Sequence, residues 1–217
     1  MTAIPFKGQI YETKNYGKCE VIEYKGWRDV LVRFIDTGYE IVTGNTQLRD
    51  GNIKDIMMPS IYGVGYFGKG AHKANISGKV TKSYDVWMSM LARCYSDKYQ
   101  ADKPTYIGCS VAKDWHDYQV FADWFALNYV EGFHMDKDIL LKGNRIYGPN
   151  TCKFVSPAAN TVEAHARHYT FFSPEGKKIE IYNLAEFCRE NGLGNSHMQS
   201  VYKGKRNHHR QWRKYNG

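Results

Sequence analysis

The sequence predicts an α+β chain of three modules: a small N-terminal β-barrel, a central α+β domain, and a C-terminal β-hairpin followed by two short helices. Three observations predict it. Residues 8–55 alternate apolar and polar side chains between closely spaced glycine turns, the pattern of short half-buried strands. From Ser83 the apolar residues recur at helical spacing, and strand-like runs then interrupt the helices. The last quarter changes from a strand period to a helix period once more. The implied boundaries are 1–70, 71–168 and 169–217.

Composition narrows the class. At roughly 100–200 residues per domain, 217 residues make one large domain or two to three small ones. Hydrophobic content of 42% with 24% charged residues excludes wholesale disorder. No apolar run approaches the ~18 residues that cross a bilayer, and no secretory pattern opens the chain, so a cytoplasmic location is expected. Five widely spaced Cys without a Cys-x-x-Cys pair argue against a disulfide framework and a cysteine zinc site. Free, mostly buried thiols are expected instead.

Charge points to a partner. The chain carries a net +8 and 15% aromatic residues, including 17 Tyr, which suits a polyanion that meets cations and rings together. Resolved by segment, residues 1–70 carry a net +1, residues 71–168 a net +2 and residues 169–217 a net +5. Lys203, Lys205, Arg206, Arg210, Arg213 and Lys214 fall in 202–217, which holds no acid. The excess is local, unlike a diffuse solubility charge.

In the first module, Gly8–Tyr11, Cys19–Tyr24, Val30–Phe34 and Tyr39–Thr43 are strands separated by Asn15–Gly17, Lys25-Gly26 and Asp36–Gly38 turns. Their number and length suit an SH3-like or Tudor-like barrel, either a docking module for a host protein or an accessory nucleic-acid surface. Pro59–Gly70 is rich in glycine and aromatic residues. No Lys-Ser/Thr follows to make a phosphate-binding loop, so it is expected to be a linker.

In the middle module, Ser83 is the expected cap of a helix with Trp87, Met90, Leu91 and Cys94 on one face. A second helix begins near Asp117 with Tyr118, Phe121, Trp124 and Phe125, rings expected in the core. Tyr106–Trp115 is expected to be a strand and turn. Phe133–Leu140 and Thr151–Val155 are strands flanking the polar loop 142–150, and Ser156-Pro157 starts a helix holding Asn160. Strand, loop, strand and helix is the order of a ββα-metal fold. There a strand carboxylate and a helix amide or imidazole share one divalent ion, and oxygen ligands suit Mg²⁺ or Mn²⁺.

These residues resemble a known family. Trp87–Tyr95, Tyr106–Val111, Trp115, Asp136-Lys-Asp138, Tyr147–Val155 and Asn160, in that order, resemble phage-encoded HNH-type homing endonucleases, relatives of the plant ethylene-response DNA-binding domain. The N-terminal module also resembles one that precedes this domain in phage proteins. The resemblance implies Asp136 and Asn160 as metal ligands and Asn150 as a brace for the loop. Lys137 stands where the HNH pattern has its general-base His, and an ammonium of pKa about 10.4 is a poor base at pH 7. His134 shares the strand face of Asp136 and is the substitute base, and Asp138 is a second group able to position water. Two readings stay open: an active DNA endonuclease, or a frame that binds DNA by occupancy with Lys137 on a phosphate.

In the last module, Thr170–Phe172 and Lys178–Tyr182 flank a Ser173–Lys177 turn. Asn183 with Glu186 forms a capping-box-like pair, Leu184, Phe187 and Cys188 give an apolar face, and Gly192 stops the helix. Asn195 or Ser196 caps a second short helix containing Met198 and Val201, so a helix-turn-helix is expected. Its polar residues His197, Gln199, Ser200, Tyr202 and Lys203 can reach base edges or phosphates. His208 and His209 lie among Arg206 and Arg210 and suit phosphate better than metal, and Trp212 is expected to pack. Phe172–Lys177, Asn183–Cys188, Leu193, Val201–Lys205 and Trp212 resemble the nuclease-associated modular domain at the tails of homing endonucleases. That resemblance implies double-stranded DNA as the partner.

Overall fold

The computed structural model describes residues 4–157 and 167–215. Strands β1 (Ile10–Glu12), β2 (Lys18–Gly26), β3 (Asp29–Phe34) and β4 (Glu40–Thr43) form an antiparallel meander in the order β1-β2-β3-β4. Their alternation buries Cys19, Val21, Val30, Val32 and Phe34. Among the described residues no strand joins β4 back to β1, so the sheet is open and the expected barrel does not close. After β4 the chain turns at Gly44 into a short helix, α1 (Asn45–Arg49). Leu48 of that helix and Ile53 complete the apolar cluster, as the opposite wall of a barrel would.

The expected linker is instead a packed segment. Tyr66 N donates to His116 O (2.9 Å) and Tyr118 N to Tyr66 O (3.0 Å). A Cβ on Gly65 would stand 2.5 Å from Leu91 Cδ1 and 3.1 Å from the Trp87 ring. Glycine here permits close approach of backbone to core, a demand that looks like flexibility in sequence.

A hairpin of β5 (Asn75–Ile76) and β6 (Lys79–Val80) leads into α2 (Lys82–Tyr95). That helix buries Trp87, Met90, Leu91 and Cys94, as their spacing predicts. Thr81 takes the N-cap position in place of Ser83, whose Oγ lies 2.9 Å from Tyr118 Oη. A short α3 (Asp97–Asp102), not anticipated, begins where Ser96 accepts from Tyr99 N. Helix α4 (Tyr118–Asn128) starts at Asp117, whose carboxylate accepts from Gln119 N at 2.8 Å. Trp87, Trp115, Tyr118 and Phe121 are fully enclosed, with Trp115–Phe121 centroids at 5.0 Å and Trp87–Tyr118 at 5.4 Å. These rings are core.

The expected strand at 106–115 shrinks to β7 (Ser110–Val111) between 3-10 turns. It pairs in parallel with β9 (Ile146–Tyr147). β8 (His134–Asp136) pairs with β10 (Lys153–Val155), the two strands expected to flank the polar loop. The helix expected after Ser156, with Asn160, lies outside the described residues beyond Pro157.

By contacts the chain divides into two compact units, 1–129 with 140–153, and 130–139 with 154–217. In the second, β11 (His168–Phe172) and β12 (Lys178–Tyr182) form a hairpin, followed by α5 (Leu184–Glu190) and α6 (Asn195–Tyr202). A further small hairpin, β13 (His208–His209) and β14 (Trp212–Lys214), completes a sheet in the order β12-β11-β14-β13. Phe171, Ile181, Leu184, Cys188, Met198 and Val201 form its core. All five cysteines are buried, and none is in a disulfide. No helix among the described residues is long and apolar enough to cross a membrane.

Candidate nucleic-acid interface

The tail is built on caps. Asn183, in the left-handed region at φ 62°, accepts from Glu186 N (3.2 Å) and donates to Glu186 Oε2 (3.1 Å). Leu193 N then donates to Cys188 O at 2.8 Å past Gly192 (φ 63°), closing α5. Gly194, one residue before the expected caps, is the N-cap of α6. Its amide donates to His209 Nε2 at 3.0 Å, so the β13–β14 hairpin supplies the acceptor for the N-cap amide that an N3 side chain gives in a capping box.

Through Tyr215 the acid-free run is therefore built into the fold. It turns at Arg210 (φ 45°) and Gln211 (φ 68°), and β14 adds to β11 with Phe171 opposite Lys214 and Phe172 opposite Arg213. Trp212 packs edge-on against Phe187 at 5.3 Å. Arg206, Asn207, Arg213 and Lys214 line a groove of about 640 Å³ whose walls include the glycines 176 and 204. A second groove of about 370 Å³ is lined by Arg167, His168, Tyr169, Gln199, Tyr202 and Lys203.

Lys203, Lys205, Arg206, Arg210, Arg213 and Lys214 are all exposed, and none has a carboxylate within 4.0 Å among the described residues. Cations of the N-terminal sheet differ: Lys18 pairs with Glu12 (3.4 Å), Lys25 with Glu23 (3.1 Å) and Arg33 with Glu40 (2.6 Å). Unpaired cations remain available to an external anion.

The other tail candidates separate by what they already touch. Ser200 Oγ donates to Ser196 O (2.9 Å), and Tyr202 stands edge-on to Tyr169 at 4.8 Å, beside Phe171. His197 is exposed with its ring 4.9 Å from that of His209. Burial, then the charges of His197, Arg206, Arg210 and His208, hold His209 below the ordinary imidazole range, consistent with its role as acceptor. His209 is thus a positioning residue. Gln199 is half-buried, and His208 is exposed.

The residues expected at a nuclease centre are more committed. His134 is exposed on β8, and the two-residue strand period puts it on the face of Asp136. Asp136 Oδ1 accepts from Asp138 N (2.7 Å) and Ile139 N (2.8 Å), so one carboxylate oxygen shapes the turn. Lys137 Nζ, its side chain 12% exposed, donates to Asp138 Oδ1 at 2.7 Å. Asn150 is exposed in the turn after β9. Two residues the sequence did not single out also hold that loop: Asn144 Nδ2 and Thr151 Oγ1 both donate to Ile146 O at 2.7 Å. An Asn two residues before the accepting carbonyl is the available signal for such a turn. Among the described residues no three His, Cys, Asp or Glu side chains gather to hold a metal ion. Asn160, the second expected ligand, is outside them.

No family profile matches the chain, and no curated protein matches it. Among solved structures it is similar to one described as "DNA binding and cleavage by the HNH homing endonuclease I-HmuI". That similarity is 22% identical, covers 46% of this chain and 68% of the other, and has a TM-score of 0.23.

Proposed function

We propose that this chain binds double-stranded DNA through its C-terminal unit, reading DNA as a helix-turn-helix of the homing-endonuclease type. One observation carries the reading: six exposed cations without a described carboxylate partner lie on the last sheet and helix end, and three of them, Arg206, Arg213 and Lys214, line a groove of about 640 Å³. The inner face of α6, Met198 and Val201, is buried, which leaves Gln199 and Lys203 one turn apart beside the second groove. Phosphates on the cations position the duplex, and such polar groups are able to meet base edges.

The reading extends to phosphodiester hydrolysis dependent on Mg²⁺ or Mn²⁺, with Asp136 as a metal carboxylate, Asn160 as second ligand and His134 as the base. It draws on the HNH-like order of motifs in the sequence and on the shared strand face of His134 and Asp136. The alternative, DNA binding by occupancy, draws on the general-base position: Lys137 there is enclosed with its ammonium donating to Asp138 Oδ1, while Asp138, its side chain 44% exposed, keeps its second oxygen.

Nicking of supercoiled DNA with Mg²⁺ or Mn²⁺, compared between wild type and Asp136→Asn, decides between the two. Asn keeps one oxygen for the two amide donors of the turn and removes only the charge. Loss of nicking in Asp136→Asn supports the nuclease. Equal activity in both removes the assigned centre, and binding without nicking in either supports occupancy.

A further inference from the structure

The β5–β6 hairpin buries nothing. Residues 75–80 are all exposed, including Ile76 at 58% and Val80 at 61%. Ile76 faces Lys79 across the ladder and Asn75 faces Val80. Directly opposed residues share a face and neighbours alternate, so this ribbon carries one exposed aliphatic side chain on each face. Two-stranded ribbons are marginal by themselves.

The base of the ribbon is nevertheless firmly held. Thr81 Oγ1 donates to Lys73 O (2.9 Å), Thr81 N to Ala74 O (2.9 Å), and the buried Tyr118 hydroxyl to Lys73 O (3.2 Å). His72 N donates to Gln119 Oε1 (2.9 Å) immediately before it. Ser77 (φ 51°) and Gly78 (φ 80°) make the two-residue turn that matches strand twist. A fully wetted blade on a hydrogen-bonded base, with one aliphatic side chain on each face, adds nothing to the core.

Its electrostatics indicate what it meets. No acid occurs from residue 56 to residue 84, a stretch that holds Lys69, Lys73, Lys79 and Lys82. Lys82 reaches Asp85 at 3.8 Å and Lys69 lies 5.0 Å from the Tyr39 ring centroid. Lys73 and Lys79 are exposed, with no carboxylate within 4.0 Å among the described residues. A two-stranded ribbon fits a DNA groove, where lysines meet phosphates and aliphatic side chains meet base and sugar edges.

We infer that the 75–80 ribbon is a second nucleic-acid contact, entering a groove of the duplex with Ile76 and Val80 while Lys73 and Lys79 hold the flanking phosphates. The inference rests on the DNA-binding reading and adds a contact in the first unit to the one in the tail.

The test measures duplex affinity of the full chain against salt for wild type, Lys73→Gln/Lys79→Gln, Ile76→Ala/Val80→Ala, and a tail variant, Arg206→Gln/Arg213→Gln. The lysine pair is expected to reduce the log–log salt slope by about 1.8, at ~0.9 per phosphate contact. The aliphatic pair is expected to weaken binding about fivefold, the value of about 1 kcal/mol of apolar burial, at unchanged slope. All four positions are exposed, so unchanged thermal midpoints are expected and verify folding. Wild-type affinity and slope in both ribbon variants overturn the inference, including where those variants instead lose adhesion to anionic vesicles. If the tail variant alone loses affinity, the ribbon contact fails and the DNA-binding reading stands. If the wild-type chain has no duplex affinity, both fail.

Discussion

The amide of Gly194 donates to Nε2 of His209 at 3.0 Å, which ties the start of α6 to the hairpin that closes the tail sheet. Only a neutral ring with its proton on Nδ1 accepts there. Burial and then the surrounding positive groups hold the folded-state pKa of His209 below 6.5, so the unfolded chain binds the proton more readily. The contribution is complete above pH 6.5 and is lost as pH falls through the lower folded value. Thermal midpoints followed from pH 8 downward are expected to drop in that window. His209→Gln, whose Oε1 also accepts, should flatten the drop. His209→Ala should remove it and cost about 1 kcal/mol, the worth of one hydrogen bond. An unchanged pH profile in both variants would remove His209 from this role.

Salt dependence tests the tail directly. If Lys203, Lys205, Arg206, Arg210, Arg213 and Lys214 each meet a phosphate, their joint share of the log–log slope is about −5, at ~0.9 per contact. Replacing Arg206, Arg213 and Lys214 with Gln should reduce the slope by about 2.7. A slope unmoved by that triple change would show that the groove they line is not the footprint.

The parts legible in the sequence were those fixed by local period. Trp87, Met90, Leu91 and Cys94 were placed by spacing alone, and the Asn183–Glu186 cap by its three-residue separation. The parallel pairing of Ser110–Val111 with Ile146–Tyr147 joins segments far apart in sequence, and two-residue strands show no period. The last hairpin was hidden because Arg210 and Gln211 are not residues that announce a left-handed turn. At the candidate nuclease centre the sequence supplied the strand of His134 and Asp136. The enclosure of Lys137 against Asp138 depends on packing and left no sequence trace.

Gly68 tests whether the glycine-rich segment is a structural seam. It sits at φ 75°, and a Cβ there would overlap the Asp117 carboxylate that caps α4. Gly63 has a similar φ of 74° with open space around it. Gly63→Ala should cost about 1–2 kcal/mol, the left-handed backbone penalty. Gly68→Ala adds loss of a cap of about 1 kcal/mol to the same penalty. Urea unfolding of the two variants measures the difference, and equal losses would deny the collision.

The turn at Arg210 and Gln211 stores strain where the cations are presented. Both residues hold positive φ without the freedom of glycine, at about 1–2 kcal/mol each. Gln211→Gly should relieve part of this and raise stability by about 1 kcal/mol, less the added entropy of glycine in the unfolded chain. Its charge is unchanged, so the salt slope of DNA binding should stay at the wild-type value. Arg210→Gly relieves the same kind of strain but removes a cation, so the slope should fall by about 0.9 while stability again rises. Paired measurement of unfolding free energy and salt slope therefore separates geometry from charge. Stabilisation in both with a slope change only in Arg210→Gly would fit a turn kept strained to hold that guanidinium outward. A slope change in Gln211→Gly would instead mean that the strained turn itself sets how the neighbouring cations meet phosphate.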